Sequence, residues 1–259
     1  MDFGITGKRA LICASSAGLG RACAQSLSSE GAEVWINGRD SARLEVAAAE
    51  IEALTGQRPH TVLADIDTST GRDAVIASCP RPDILVCNSG GPRPGRLHDW
   101  TETAWSEAVA AKMISPILLI QSLIGGMRER GFGRVVVITS AMVKTPKLPM
   151  ALSTGPRAGL TAFCKALAGE VAADGVTINC LLPEKVETDR LAQMTRSLAR
   201  ARSIDLDEAR AEMVASIPAG RFGRPGEVGD ACAFLCSDRA GYITGQNLQL
   251  DGGAYSGLV

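Results

Sequence analysis

Short, continuous apolar runs recur along this chain, separated by longer helical patterns, and that alternation limits the possible folds more than any other feature. Arg9 to Ala14 reads as a strand and Gly18 to Glu30 as a helix; Glu33 to Asn37 is a second strand, followed by a helix from Ser41 to about Leu54. Thr61 to Ala64 and Ile84 to Asn88 read as strands three and four, Glu102 to Arg130 as a long helical region, and Arg134 to Thr139 as strand five. Leu160 to Ala173 is helical, Val176 to Leu182 is strand six, and two more helical stretches precede a last strand at Asn247 to Leu250. Strands apolar on both faces and alternating with helices imply an α/β, doubly wound parallel sheet of about seven strands, helices on both faces, in a single domain. Such sheets bind ligands beyond the carboxyl ends of their strands, at the switch in strand order. The residues just after strands one, two, four, five and six are therefore where chemistry is expected.

Composition narrows the class further. Of 259 residues 46% are hydrophobic, enough for a sizeable core, and the net charge of −1 carries no signature of nucleic-acid or membrane binding. Met1 to Arg9 holds charges at Asp2, Lys8 and Arg9, and no stretch approaches the roughly 20 apolar residues of a membrane span. The expectation is a cytoplasmic protein. The eight cysteines lie in apolar or helical patterns, as free core thiols do in a reducing compartment. Cys232 and Cys236 share a helix face, but with no second Cys/His pair near them the reading is packing, and no metal site is expected.

After strand one comes Cys13-Ala14-Ser15-Ser16-Ala17-Gly18-Leu19-Gly20, opening a helix. Small residues there let a backbone approach a pyrophosphate, with the helix N-terminus supplying amide donors; the same residues also serve helix–strand packing. Ala14 would be strained if the turn demands a positive φ. Strand two ends Ile36-Asn37-Gly38-Arg39, which puts a planar cation where a carboxylate would otherwise meet a ribose.

The run resembles the Thr-Gly-x-x-x-Gly-x-Gly of the short-chain dehydrogenase/reductase family, a Rossmann-type fold, with Cys13 and Ala14 replacing its first two residues. Asn88-Ser89-Gly90 resembles that family's Asn-Ala-Gly, and Asp65, with Ile66 beside it, its adenine-contacting aspartate. Asn179, Pro183, Val186 and Thr188 match Asn-x-x-x-Pro-Gly-x-Val-x-Thr, and Tyr242 to Gln246 with Asp251-Gly252-Gly253 its closing motif. The likeness covers nearly the whole chain, and among relatives it is similar to the 3-oxoacyl-acyl-carrier-protein reductases. It implies a dinucleotide held by Ala14, Ser16, Ala17, Gly18, Leu19, Gly20, Gly38, Arg39, Asp65, Ile66, Asn88, Ser89, Gly90, Arg157, Pro183, Val186 and Thr188. Gly38-Arg39 is the family's NADP-type signature, favouring NADP(H) over NAD(H). The resemblance also implies a homotetramer, a small carbonyl/alcohol substrate and a substrate lid at about 190–216.

The family's catalytic set is mostly replaced. Ser140 matches its serine, but the tyrosine position is Ser153, the lysine position Arg157 and the asparagine position Lys112. An aliphatic hydroxyl is a far weaker acid than a phenol, and Arg157 holds a ribose or anion but relays no proton. Lys112 is the one replacement that can titrate near neutrality when desolvated beside another cation. Glu184 replaces the glycine after Pro183, with Lys112 and Arg157 as its expected partners. Arg93, Arg96, Lys144, Lys147 and Lys185 sit on the loops expected to rim the pocket; if they converge, an anionic substrate is favoured. The chain resembles divergent family members with an Asn-Ser-Gly-Gly-Pro turn, here Asn88 to Pro92, and no tyrosine. Two readings follow: an oxidoreductase using Ser140, Lys112, Ser153 and Arg157 in an atypical relay, or a non-catalytic NADP- or metabolite-binding protein.

Overall fold

Seven apolar runs pair in parallel: β1 (Arg9–Ile12), β2 (Glu33–Gly38), β3 (His60–Leu63), β4 (Ile84–Cys87), β5 (Gly133–Ile138), β6 (Val176–Pro183) and β7 (Asn247–Leu250). The structure is a computed structural model that describes residues 2–92 and 94–258. The sheet order is β3-β2-β1-β4-β5-β6-β7, so the chain reverses its direction of travel between β1 and β4. Ile12 is level with Ile36 on one side and Val86 on the other, which brings the turns after β1, β2 and β4 together.

Alternate side chains divide the sheet between two cores. Ala10, Ile12, Ile36, Val86 and Val136 pack toward α1 (Gly18–Ser29), α2 (Ser41–Thr55) and α9 (Pro225–Cys236). Leu11, Leu85, Val135, Val137 and Ile178 pack on the other face. There they meet α3 (Ser69–Ser78), α5 (Ser115–Glu129) and α6 (Ala151–Val171). Burial on both faces explains why the central strands read as unbroken apolar runs. Between β6 and α9, α7 (Asp189–Arg202) and α8 (Leu206–Ala215) share a small core of Leu191, Met213, Ile217 and Phe222.

Four local readings change. The helix α3 stands between β3 and β4, where only the end of a helical pattern at Cys79 had been legible. Three helices rather than two precede β7. The long helical region is α4 (Glu102–Val109), a π-turn at Ala110–Ile114 and then α5. Finally, α6 begins at Ala151, well ahead of Leu160, and runs through Pro156. Gly155 and Gly159, four apart on α6, lie against Trp105 and Met113: a Cβ on Gly155 would touch the Trp105 ring at ordinary contact distance, and one on Gly159 would lie 2.8 Å from Met113 Sδ. That packing overrides the helix-breaking character of Gly-Pro.

The run Glu102–Glu129 also corrects the expectation about apolar length. An 18-residue window within it has a mean hydropathy of 1.7, which makes this run long and apolar enough to cross a membrane by composition, and 33% of that window is buried within the fold. All eight cysteines are free and buried, with Cys232 packed against Cys23 and Cys236. Among the described residues no cluster of three or more His, Cys, Asp or Glu is placed to hold a metal ion.

The tightest helix contact is α1 on α9, where a Cβ on Gly229 would lie 2.5 Å from both the Ala22 carbonyl and Ser26 Oγ. Helix propensity alone would favour Gly229→Ala by about 0.8–1 kcal/mol. Overpacking against backbone costs about 1–3 kcal/mol and outweighs it. Gly229→Ala should therefore lower the urea midpoint.

Candidate functional site at the carboxyl end of the sheet

The turn after β1 is held from three sides. The Ala14 N–H donates to Asn37 Oδ1 at 3.3 Å, and Asn88 Nδ2 donates to the Ala14 carbonyl at 3.0 Å. Ser15, fully buried, donates its hydroxyl to the Ile12 carbonyl at 2.8 Å and accepts the Asn37 N–H at 2.9 Å. The Asn37 amide also donates to the carbonyls of Val62 and Ala64. Ser15 and Asn37 were absent from the sequence-derived site; an asparagine closing an apolar strand was the available signal. Gly20 is required by contact, since a Cβ there would lie 2.5 Å from the Ala14 carbonyl and 2.8 Å from Asn88 Nδ2.

The helix that follows lacks a side-chain cap. Ala17 is the N-cap of α1 and accepts no amide through its side chain, whereas Asp40, Thr68, Thr188 and Asp205 cap α2, α3, α7 and α8. The first-turn amides of α1, from Gly18, Leu19 and Gly20, therefore meet no side-chain acceptor and suit a phosphate. A groove of about 670 Å³ opens beside Ser16, Ala17 and Gly18, bounded across from them by Thr188 and Leu191. That volume lies within the roughly 300–1,000 Å³ range of ligand sites. Gly38 abuts Ser16, which lines the groove, and Arg39 beside it is exposed, paired with Asp65 at 3.4 Å. An exposed arginine held by one weak surface pair is free to turn to a phosphate. The Ile66 carbonyl accepts from Arg72 and from Ser115, tying the turn after β3 to the start of α5.

The other end of the site carries the replaced catalytic positions. Ser153 and Arg157 lie one turn apart on α6, and Arg157 donates to Ser153 Oγ and, at 3.3 Å, to the Ser89 carbonyl. Burial, with the nearby Arg190 adding to it, lowers the Arg157 guanidinium to about 10. It stays protonated at neutral pH. Lys112 occupies the π-turn, is only 9% exposed, and faces the same water-sized cavity as Cys13, Ile66, Asn88, Ser89 and Arg157. Burial lowers its pKa; Asp67 opposes that most, and Arg157 adds to it. Asp67 is in turn raised, chiefly by its own burial. Cys13 and Cys87 also line this cavity, but burial pushes Cys13 up to about 12 and raises Cys87 well above the usual thiol range, so both thiols stay protonated and inert.

Ser140 follows β5 and accepts the Met142 N–H at 3.2 Å, which leaves its own hydroxyl proton to donate. Pro183 ends β6, Val186 is buried, and Thr188 caps α7 while its methyl faces Gly18. Gly90 follows Ser89 in the open turn after β4, where a Cβ would meet nothing.

Glu184 does not pair with Lys112 or Arg157. It is mostly buried and turns toward Lys147 at 3.9 Å, because β6 delivers it on the side of the loop after Ser140. The rim cations do not converge either. Lys144 lies over the Tyr255 ring, and Lys185, with a positive φ of 49°, donates to the Met213 carbonyl and Ser216. Arg96 begins a short 3-10 turn closed by Asp99. Arg93 lies outside the described residues. The cation that does reach the site was not singled out: Arg190 donates to the carbonyls of Gly91, at 3.3 Å, and Pro92, at 2.5 Å.

The family profile described as enoyl-(acyl carrier protein) reductase matches residues 13–255. The 3-oxoacyl-(acyl-carrier-protein) reductase FabG of Escherichia coli (strain K12) is 33% identical over 253 residues, spanning 96% of this chain and 98% of that protein. The L-sorbose reductase of Gluconobacter frateurii, solved with NADPH and L-sorbose, superposes with a TM-score of 0.93 at 31% identity, covering both chains fully. A 3-oxoacyl (acyl-carrier-protein) reductase from Agrobacterium tumefaciens C58 with NADP bound gives a TM-score of 0.89 at 28% identity, over 97% of this chain and 96% of that one.

The chain belongs to the short-chain dehydrogenase/reductase family.

Against that family's glycine turn, Ala14 is the costly departure, since it sits at φ 46°. A non-glycine residue in the left-handed region costs about 1–2 kcal/mol. Restoring glycine frees the unfolded chain at a cost of about 0.4–1 kcal/mol. Ala14→Gly should therefore leave stability unchanged or raise it by up to about 1 kcal/mol in denaturant titration, the reverse of the usual effect of glycine.

Proposed function

We propose that the protein is an NADP(H)-preferring oxidoreductase interconverting a carbonyl and an alcohol, with Lys112 as the proton group in place of the family's tyrosine. The observation that carries this reading is the burial of Lys112 in the π-turn, where it faces the same cavity as Asn88, Ser89 and Arg157. A π-turn inside a long helix is frequently found at a functional site, and a desolvated lysine next to a fixed cation is poised to give up its proton. When bound, NADPH supplies the hydride. Ser140 orients the carbonyl through its free hydroxyl proton, and Arg157 holds the ribose or an anion without moving a proton. Lys112, directly or through one water in the adjoining cavity, protonates the developing alkoxide. Ser153 stays engaged by Arg157 and is too short to take the phenol's place.

The sign of the pH dependence follows from the shift. Lys112 falls below its ordinary 10.5 because burial disfavours the ammonium, with Arg157 and Arg39 adding to the shift and Asp67 and Asp65 opposing it. Reduction needs the ammonium, so its rate should fall as pH rises through that lowered value, and oxidation should gain over the same window. Lys112→Met should remove this limb and lower turnover by about 10²–10⁴, leaving NADPH affinity nearly intact. An unchanged rate in Lys112→Met contradicts the assignment. NADPH binding with no turnover over a broad carbonyl panel supports the non-catalytic reading instead.

Gly38 and Arg39 carry the cofactor preference. A double change Gly38→Asp with Arg39→Leu should invert it toward NADH, read by titrating both cofactors; equal affinity of the unmutated protein for the two removes the argument. The α7–α8 pair is the proposed substrate lid. The exposed apolar side chains of Ile114 and Leu118 support assembly through these helices into a homotetramer.

A further inference from the structure

Three buried or half-buried arginines elsewhere in the fold are matched by acids, which makes the exceptions informative. Arg134 faces Asp238 at 3.9 Å and donates to three backbone carbonyls; Arg130 meets Asp83 at 3.4 Å; Arg21 pairs with Glu50. Arg157, 8% exposed, has no carboxylate within ion-pair distance among the described residues, and neither does Arg190. The acids nearest to Arg190 in the chain are turned away to other cations: Glu184 to Lys147, Glu187 to Arg210 and Asp189 to Arg43.

Both guanidinium groups are gathered on one turn. Arg157 donates to the Ser89 carbonyl, Arg190 to the carbonyls of Gly91 and Pro92, so they flank the Ser89–Pro92 segment from α6 and α7. These carbonyls are neutral acceptors and cancel neither charge. Each arginine has five donors and spends two here, so donors remain on both. Arg157 is buried and Arg190 half-buried beside it, and two like charges brought together where water is partly excluded are unfavourable unless an anion joins them.

We propose that Arg157 and Arg190 form a clamp for an oxyanion, a carboxylate or phosphate group carried by the substrate beside its reacting carbonyl. The inference rests on the oxidoreductase reading for the word substrate, while the clamp itself rests on these two side chains. Paired planar forks suit a carboxylate or phosphate edge-on, and Arg190 stands on α7, so an anion seated there also ties the α7–α8 pair to the β4 turn. Each nearby lowered pKa, that of Arg157 and of Lys112, would rise again when the anion binds.

The test uses the full chain, with and without saturating NADPH, titrated by calorimetry with pyruvate and with inorganic phosphate, and with acetone as the uncharged control. The clamp predicts that at least one anion binds while acetone does not. Arg190→Ala and the milder Arg190→Gln, each checked by its melting curve, should weaken that anion about ten- to hundredfold, the worth of a charge-assisted hydrogen bond. Arg190→Lys should recover only part. NADPH affinity should stay within about twofold. Anion binding indifferent to both Arg190 variants, or no anion binding with and without NADPH, overturns the clamp. A loss of NADPH affinity equal to the loss of anion affinity assigns the arginines to the cofactor's phosphates and overturns it too. Failure of NADPH itself to bind, with anion binding intact, strikes the oxidoreductase reading and leaves the clamp standing.

Discussion

The hydrogen bond from the Asn88 amide to the Ala14 carbonyl joins the ends of β1 and β4, the two strands between which the sheet order switches. Its geometry needs the first turn of α1 to come so close that only glycine fits at position 20. Asn37 completes the arrangement from β2, so one small polar network fixes the turns after three strands without any charged group. Buried and satisfied networks of this kind give a rigid edge. Rigidity at this edge holds the first turn of α1 and the β4 turn in fixed relation at the carboxyl end of the sheet.

Upon that neutral frame sits an unusually cationic centre. Lys112 is opposed mainly by Asp67, an acid whose own burial weakens its ionised form, and Arg157 by nothing but neutral acceptors. In the family pattern a lysine one helical turn from the tyrosine lowers the phenol's pKa. In the proposed mechanism the movable proton belongs to Lys112 on the facing helix, and α6 keeps the fixed charge of Arg157. The π-turn is what aims residue 112 inward: the wider ring inserts one residue into the run, and Ser115 anchors its end to the Ile66 carbonyl.

The sheet was legible because strands covered on both faces leave unbroken apolar runs, and because glycine positions fixed by close backbone approach cannot drift. Gly20 is the example, with no room for a Cβ between the Ala14 carbonyl and the Asn88 amide. The start of α6 was not legible: Gly155-Pro156 signals a break, and only the fit of Gly155 and Gly159 against Trp105 and Met113 reverses it. Glu184 was assigned to the nearest chemically suitable cations, but partners across a pocket are chosen by which loop wall a residue faces, and that wall carries Lys147. Arg190 escaped notice because it lies in a segment whose helical hairpin has a polar, repetitive sequence. Its reach to Gly91 and Pro92 spans nearly a hundred residues of chain. Ser15 and Asn37 act through backbone groups, and backbone partners leave no complementary residue type to look for.

The account turns on Lys112 holding a loosely bound proton in the folded protein. The direct measurement is an NMR titration of labelled lysine ε-groups, with Lys112 assigned by its disappearance in Lys112→Met. The account predicts one lysine titrating below the ordinary value of 10.5. That lysine should be lost in the variant. A Lys112 resonance that titrates at or above 10.5 in the folded protein would contradict it.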